Sequence, residues 1–264
     1  MQNAKVKKIR EILQGMESVL VAYSGGVDSS LLLYLVSLEC PNSLAVIANS
    51  FLYPKRELEE AKTMAENFGI DYIFIETDEL KNPKFIENPP NRCYFCKNGL
   101  FLRLENIAKE KGISHIIDGT NLDDEKDFRP GMKAKEEFRI RSPLKEAGFT
   151  KNEIRALSKK LNLSTWNKPS FACLASRFPY GEKITKEKLK TVERGEEFLK
   201  DLGFKQLRVR SHNGIARIEV EKREMKKALE LKDEIAKALK GFGFSYITLD
   251  LAGYRTGSMN EAIL

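Results

Sequence analysis

Residues 24–30 read Ser-Gly-Gly-Val-Asp-Ser-Ser, a set of residue types suited to holding phosphate. Paired glycines permit a tight turn with unhindered backbone amides, and a helix starting there would add its partial positive charge. The hydroxyls of Ser24, Ser29 and Ser30 can add hydrogen bonds to phosphate oxygens. Asp28 can hold Mg2+ or orient the loop. The alternative is an ordinary glycine-rich turn capped by serine.

Four cysteines form the second chemical set. Cys93 and Cys96 make a CYFC motif, and Cys173 follows in FACLASRFPYG. Two thiolates at this spacing can chelate one centre, and a third from a separate loop suits a site assembled by folding. No fourth protein ligand is evident, which disfavours a closed zinc site and suits a 4Fe-4S cluster with one open iron. Redox or sulfur-relay thiols, zinc, and unliganded cysteines stay open as alternatives. Cys40, after an apolar segment, reads as a small buried hydrophobe or a surface thiol. Of the two histidines, His115 reads as a core residue of a strand and His212 as a turn residue. In KQLRVR, strand alternation puts Leu207 and Val209 on one face and Arg208 and Arg210 on the other. Two guanidinia at that spacing suit bidentate contacts to phosphate or carboxylate, or else form an exposed polar face.

These groups need elements to place them. Residues 18–23 are a short apolar run ending at the glycines, which predicts a buried strand feeding a helix over 28–39 that is apolar nearly all round. Strand 43–49, a helix across 54–68, strand 72–76, a Pro-rich loop, a helix carrying Leu100 and Leu104, and strand 113–118 continue the alternation. Such a sequence predicts a doubly wound parallel α/β sheet, with ligands beyond the carboxyl ends of its strands. A polar loop over 119–141 precedes a helix with Thr150 and Glu153 in capping-box spacing. Beyond residue 165 come a helix near 186–201, strands 205–210 and 215–220 joined by SHNG, a helix over 222–240 and strand 244–249. The expected domains are therefore 1–165, binding nucleotide, and 166–264, a smaller α+β unit.

Composition bounds the rest. At 42% hydrophobic and 31% charged, with 17 Gly and 9 Pro among 264 residues, the chain is no collagen, low-complexity or disordered protein. No apolar stretch approaches the ~20 residues a membrane helix needs, and the N-terminus lacks a secretory h-region, so a cytoplasmic location is expected. Of the net charge of +7, residues 1–165 hold 25 Lys+Arg against 24 Asp+Glu, and residues 166–264 hold 20 against 14. A basic surplus of that kind favours anionic partners or marks a solvated surface.

SGGxDS at the end of a first strand resembles the PP-loop ATP pyrophosphatase superfamily. The motif lacks the lysine of a Walker loop, and the resemblance implies AMP transfer with pyrophosphate release. It implies further that Ser50, after the second strand, and the loop holding Gly119 and Asp124, after the fourth, contact the nucleotide. NRCYFCK, WNKPSFACLASRFPYG, LRVR with ARIE, and ITLDLAGYRTGSMN together resemble the LarE family of ATP-dependent sulfur transferases, essentially end to end. That family makes pyridinium-3,5-bisthiocarboxylic acid mononucleotide for the nickel-pincer cofactor of lactate racemase.

The resemblance implies ATP, Mg2+ and a 4Fe-4S cluster on Cys93, Cys96 and Cys173, with the cluster delivering sulfide to an acyl adenylate. It implies Cys173 as the sulfur-handling residue; Asp28, in the phosphate loop, and Arg177, four residues after Cys173, are expected in the chemistry by their positions. Substrate contacts are expected from Ser176, Glu196, Arg208 and Arg210, and Trp166 either stacks on the pyridinium or packs. The expected partners are a pyridinium mononucleotide and a sulfide donor, with no nucleic acid and no membrane; a homo-oligomer is compatible with the sequence. Three alternatives stand beside this reading: a tRNA-thiolating enzyme, sacrificial sulfur transfer from Cys173, and a nucleotide-binding module without turnover.

Overall fold

The computed structural model describes residues 2–126, 131–169, 172–255 and 258. Phe171 of the FACLASR segment and the last residues of the SMN segment lie outside them. The chain divides into two compact units, residues 1–79 with 91–170, and residues 80–90 with 171–264.

In the first unit, α1 (Gln2–Gln14) leads into β1 (Val19–Ala22), α2 (Val27–Glu39), β2 (Ser43–Asn49), α3 (Lys55–Asn67) and β3 (Asp71–Glu76). A one-turn helix α4 (Pro83–Ile86) groups with the second unit. The first unit resumes with α5 (Arg92–Lys111), β4 (His115–Asp118), α6 (Gly131–Glu137), α7 (Pro143–Glu146) and α8 (Lys151–Lys160). The expected polar loop over 119–141 thus contains a 3-10 turn (Leu122–Lys126) and α6. The capping box of α8 is present, Thr150 accepting from the Glu153 amide and Glu153 from the Thr150 amide.

The four strands are parallel in the order β3-β2-β1-β4. Alternation along β1 divides the core: Val19 and Val21 face α1, α2 and α8, while Leu20 faces α5 and α6. Helix α2 is buried deeply enough that Leu31, Leu32 and Leu33 all lose contact with water, which is why its sequence is apolar around the whole circumference. In this order the chain leaves β1 toward β2 and later returns to β1's other side as β4. The switch point therefore lies between the carboxyl ends of β1 and β4, where α/β sheets open a crevice.

The second unit contains α9 (Lys186–Asp201), β5 (Leu207–His212), β6 (Ile215–Val220), α10 (Met225–Glu230), α11 (Lys232–Phe242) and β7 (Tyr246–Leu249). Strands β5 and β6 form an antiparallel hairpin in which His212 faces Ile215, so the connection is the pair Asn213-Gly214, both at positive φ as a type I′ turn demands. β7 adds parallel to β6. The helix expected over 222–240 is interrupted: Leu231 leaves helical geometry at φ −94°, ψ 12°, separating α10 from α11. Gly195 lies on the face of α9 that packs on β5, where a Cβ would make ordinary contact with Val209 at 3.5 Å.

Candidate active site

The turn from β1 into α2 places Ser24, Gly25 and Gly26 at the switch point. Gly25 adopts φ +69°, and a Cβ on it would stand 2.9 Å from the Ala61 Cβ, so α3 requires glycine there twice over. Gly26 is the N-cap of α2. Ser24 is exposed, and its hydroxyl pairs with that of Ser29 at 3.1 Å. Ser30 is fully buried, and its hydroxyl meets the Tyr23 hydroxyl at 3.1 Å, bracing the loop from the core side. Burial pushes the Tyr23 phenol up to about 12, so the brace stays protonated.

The loop after β4 closes on the same point. A Cβ on Gly119 would sit 2.8 Å from the Ser29 nitrogen, so only glycine lets this loop rest on the first turn of α2. Beyond it, Asn121 is fully buried and donates its amide side chain to Asp28 Oδ1 at 3.4 Å. The Asn121 backbone amide donates to Asp124 Oδ2 at 2.9 Å. Lys151, at the start of α8, forms an ion pair with Asp28 Oδ2, and its backbone amide donates to Asp123 Oδ2 at 2.8 Å. Burial raises the pKa of Asp28, with Asp124 adding to the rise, while the Lys151 ammonium opposes it. Asp118, the last residue of β4, is tied to Lys135 at 2.9 Å and to the hydroxyls of Ser142 and Thr120. Ser50 follows β2, half-buried, with its hydroxyl accepting from the Leu52 amide at 3.1 Å.

The phosphate loop, Asp28, Gly119 and Asp124 are thus gathered together. Sequence reading missed Lys151 and a second lysine, Lys168, whose ammonium donates to the Gly25 carbonyl at 3.1 Å. The arrangement can seat a polyphosphate on backbone amides, offset its charge with Lys151 and offer two carboxylates to a divalent cation.

Cys93 and Cys96 lie in the first two turns of α5, three residues apart and so on one side of the helix. Cys93 is exposed; Cys96 is half-buried, its thiol 3.8 Å from Glu79 Oε1. Cys40 is the buried thiol, donating to the Leu13 carbonyl at 3.1 Å. His115 corrects the core reading, because it opens the edge strand β4 and is only half-buried. His212 belongs to β5 and not to the turn.

In the second unit, Cys173 is half-buried and caps the 3-10 turn Leu174–Arg177. Arg177, fully buried, forks onto Glu196 at 2.8 and 2.9 Å and donates to the carbonyls of Ala172 and Cys173 and to the Ser176 hydroxyl. Glu196 also accepts from the Val209 amide at 3.0 Å. Burial alone would raise the Glu196 pKa, but the Arg177 guanidinium overcomes this and holds it below the usual range. Arg210 forks onto Glu219 and donates to the Ser176 carbonyl at 2.8 Å. Arg208 is buried over the Tyr254 ring at 5.3 Å; burial, with Arg177 nearby, lowers its pKa to about 10. The exposed-face reading of LRVR is therefore overturned, because both arginines are inside. Arg177, Glu196 and Arg210 form the frame on which the Cys173 loop rests. Trp166 stands in the 3-10 turn Ser164–Asn167, with the Lys159 ammonium 4.6 Å from its ring centroid.

No helix among the described residues is long and apolar enough to cross a membrane. Residues 2–87, the part holding the phosphate loop, match the NAD synthase family. Over its whole length the chain is 41% identical to an uncharacterized protein of Synechocystis, covering 99% of that protein. It is 39% identical to the pyridinium-3,5-bisthiocarboxylic acid mononucleotide synthase of Lactiplantibacillus plantarum, over 95% of this chain and 92% of that one. An uncharacterized protein of Methanocaldococcus jannaschii is 35% identical over 91% of this chain and 92% of its own. With a phosphate loop of the PP-loop kind and near end-to-end identity to that synthase, this chain belongs to the LarE family of the PP-loop superfamily.

Proposed function

We propose that this protein is an ATP-dependent sulfur transferase that converts carboxylates of pyridinium-3,5-biscarboxylic acid mononucleotide to thiocarboxylates, for a nickel-pincer cofactor. The observation that carries the reading is the polyphosphate seat at the switch point, in a chain 39% identical to a synthase of that product. A carboxylate resists a sulfur nucleophile because its leaving group would be oxide, so it must first be activated. ATP seated on the amides of residues 24–30 would present its α-phosphorus to a substrate carboxylate oxygen. Attack would form the acyl adenylate and release pyrophosphate; Asp28 and Asp124 would hold the Mg2+ that, with the Lys151 ammonium, offsets the charge. A sulfur nucleophile then adds at the acyl carbon, the C–O bond to AMP breaks, and thiocarboxylate and AMP leave.

The frame of Arg177, Glu196 and Arg210 would hold the Cys173 loop still while Ser176 and Arg208 meet the substrate. Cys93, Cys96 and Cys173 supply the three thiolates that a 4Fe-4S cluster with an open iron requires, and the accessible pair on α5 suits two of its ligands, although no three metal-binding side chains gather at one point among the described residues. Such a cluster would supply sulfide and leave the cysteines intact.

The test is an anaerobic incubation with the biscarboxylate mononucleotide, ATP, Mg2+ and sulfide. The expected products are a sulfur-substituted pyridinium, AMP and pyrophosphate. Formation of ADP, or pyrophosphate release that ignores the substrate, overturns the reading.

A further inference from the structure

The phosphate loop is held from behind. Lys168 donates to the Gly25 carbonyl at 3.1 Å and makes ion pairs with Glu57 at 2.8 Å and Glu60 at 2.9 Å, both on α3. Its side chain is only 12% exposed, so this is no solvated surface lysine. The backbone that carries it is pinned as well, since Arg155 donates to the carbonyls of Trp166 at 2.9 Å and Lys168 at 2.8 Å. Burial works against the charge on Lys168, but Glu57 and Glu60 overcome it and raise its pKa, so the ammonium persists across the working range.

A trans peptide is planar, with its carbonyl and N–H pointing in opposite directions, and no described peptide is cis. Drawing the Gly25 carbonyl to Lys168 therefore turns the Gly26 N–H the other way, at the residue that caps α2. Between two glycines such a peptide has little steric resistance to flipping, and a flip would aim a carbonyl oxygen at an incoming phosphate. We propose that Lys168 is a positioning residue that locks the Gly25–Gly26 peptide with its amide toward the phosphate site, so that the pyrophosphate of ATP meets a preformed donor. The inference deepens the nucleotide reading above and rests on it.

Its test needs no sulfur substrate. The full-length protein is titrated calorimetrically with inorganic pyrophosphate and Mg2+, and separately with AMP. Lys168→Met is expected to weaken pyrophosphate binding about tenfold and leave AMP within about twofold, the scale of one hydrogen bond to a charged group. Lys168→Arg keeps a donor and restores most of the loss. The double variant Glu57→Gln/Glu60→Gln removes the ion pairs but keeps the carbonyl contact, and binds pyrophosphate within about threefold of wild type. Equal losses for AMP and pyrophosphate in Lys168→Met, unchanged pyrophosphate binding, or a full loss in the double variant each overturn the lock. In the wild-type protein the Gly26 amide resonance shifts and gains exchange protection when pyrophosphate is added. An unmoved resonance overturns the lock even where Lys168→Met does not fold. If wild type binds neither pyrophosphate nor ATP, the nucleotide reading falls and the lock with it; if wild type binds and only the variants disagree, the lock falls alone.

Discussion

Asp28 carries opposed demands in one side chain. Burial and the nearby Asp124 disfavour its charge, and Lys151 only partly compensates, so the carboxylate is held at a cost to the nucleotide-free fold. A group that costs stability at the proposed polyphosphate seat is expected to be kept for what it binds. Asp28→Asn is therefore expected to melt no lower than wild type, while substrate-dependent pyrophosphate release falls at least about a hundredfold. A large drop in melting temperature would instead assign Asp28 to folding. The cysteines make a separate prediction. Anaerobically purified wild type should carry about four irons per chain with visible charge-transfer absorption, and Cys93→Ala should lose most of both; full iron retention would remove Cys93 from the ligand set. At this scale the glycine loop and the CYFC pair were legible because their members are neighbours in sequence. Lys151 and Lys168 were not, since they reach Asp28 and Gly25 from 123 and 143 residues away and nothing local separates them from the other basic residues.

Two element contacts decide whether the sites stay formed. Where the loop after β4 rests on α2, a methyl at Gly119 would meet the Ser29 backbone at 2.8 Å, and backbone has nowhere to go. Gly119→Ala should destabilise by about 1–3 kcal/mol and raise the KM for ATP, read by thermal melts and initial rates. Where α9 packs on β5, the buried Arg177–Glu196 pair supports the Cys173 loop. Glu196 has a folded pKa below its unfolded value. The pair's stabilisation is thus complete above the unfolded carboxylate value of about 4.3 and is lost as pH falls through the lower folded value. Glu196→Gln should flatten that acid limb and cost about 3–5 kcal/mol at neutral pH, by stranding a buried guanidinium; an unchanged acid limb would place the linkage elsewhere. The strand-helix alternation that builds these contacts was readable from apolar spacing, the hairpin from its turn residues, although the SHNG turn narrows to Asn213-Gly214, and the capping box from Thr150 and Glu153. The break at Leu231 was not, because apolar periodicity runs through it and no glycine or proline marks it. Helix α6 was hidden by its polarity.

For the molecule as a whole, the charge balance is the feature most open to misreading. Residues 166–264 hold 20 Lys+Arg against 14 Asp+Glu, a surplus that suggests nucleic acid. The structure removes three of those cations from the surface, but Glu196 and Glu219 are buried with them, so the surplus itself barely changes and its placement decides the matter. Arg177 and Arg210 are buried against Glu196 and Glu219 and Arg208 is buried over Tyr254, while Arg217 stays partly exposed, paired with Glu219 and Asp250. A guanidinium already bound to a carboxylate inside the protein displaces no counterions from a phosphate backbone, so it adds nothing to the term that dominates RNA affinity. The basic groups left outside include Arg194, Arg223 and many lysines, interspersed with acids along α9, α10 and α11 and the turn before α10, as in the exposed pairs Lys226–Glu230 and Arg223–Glu221. Mixed signs at that spacing cancel within about a Debye length at physiological salt. Bulk tRNA in a gel-shift at physiological ionic strength should therefore leave the protein unshifted at micromolar concentrations. Weak retardation at low salt should vanish steeply as salt is added. Tight binding that survives physiological salt would reverse the assignment, making the substrate a tRNA and the small-molecule reading wrong.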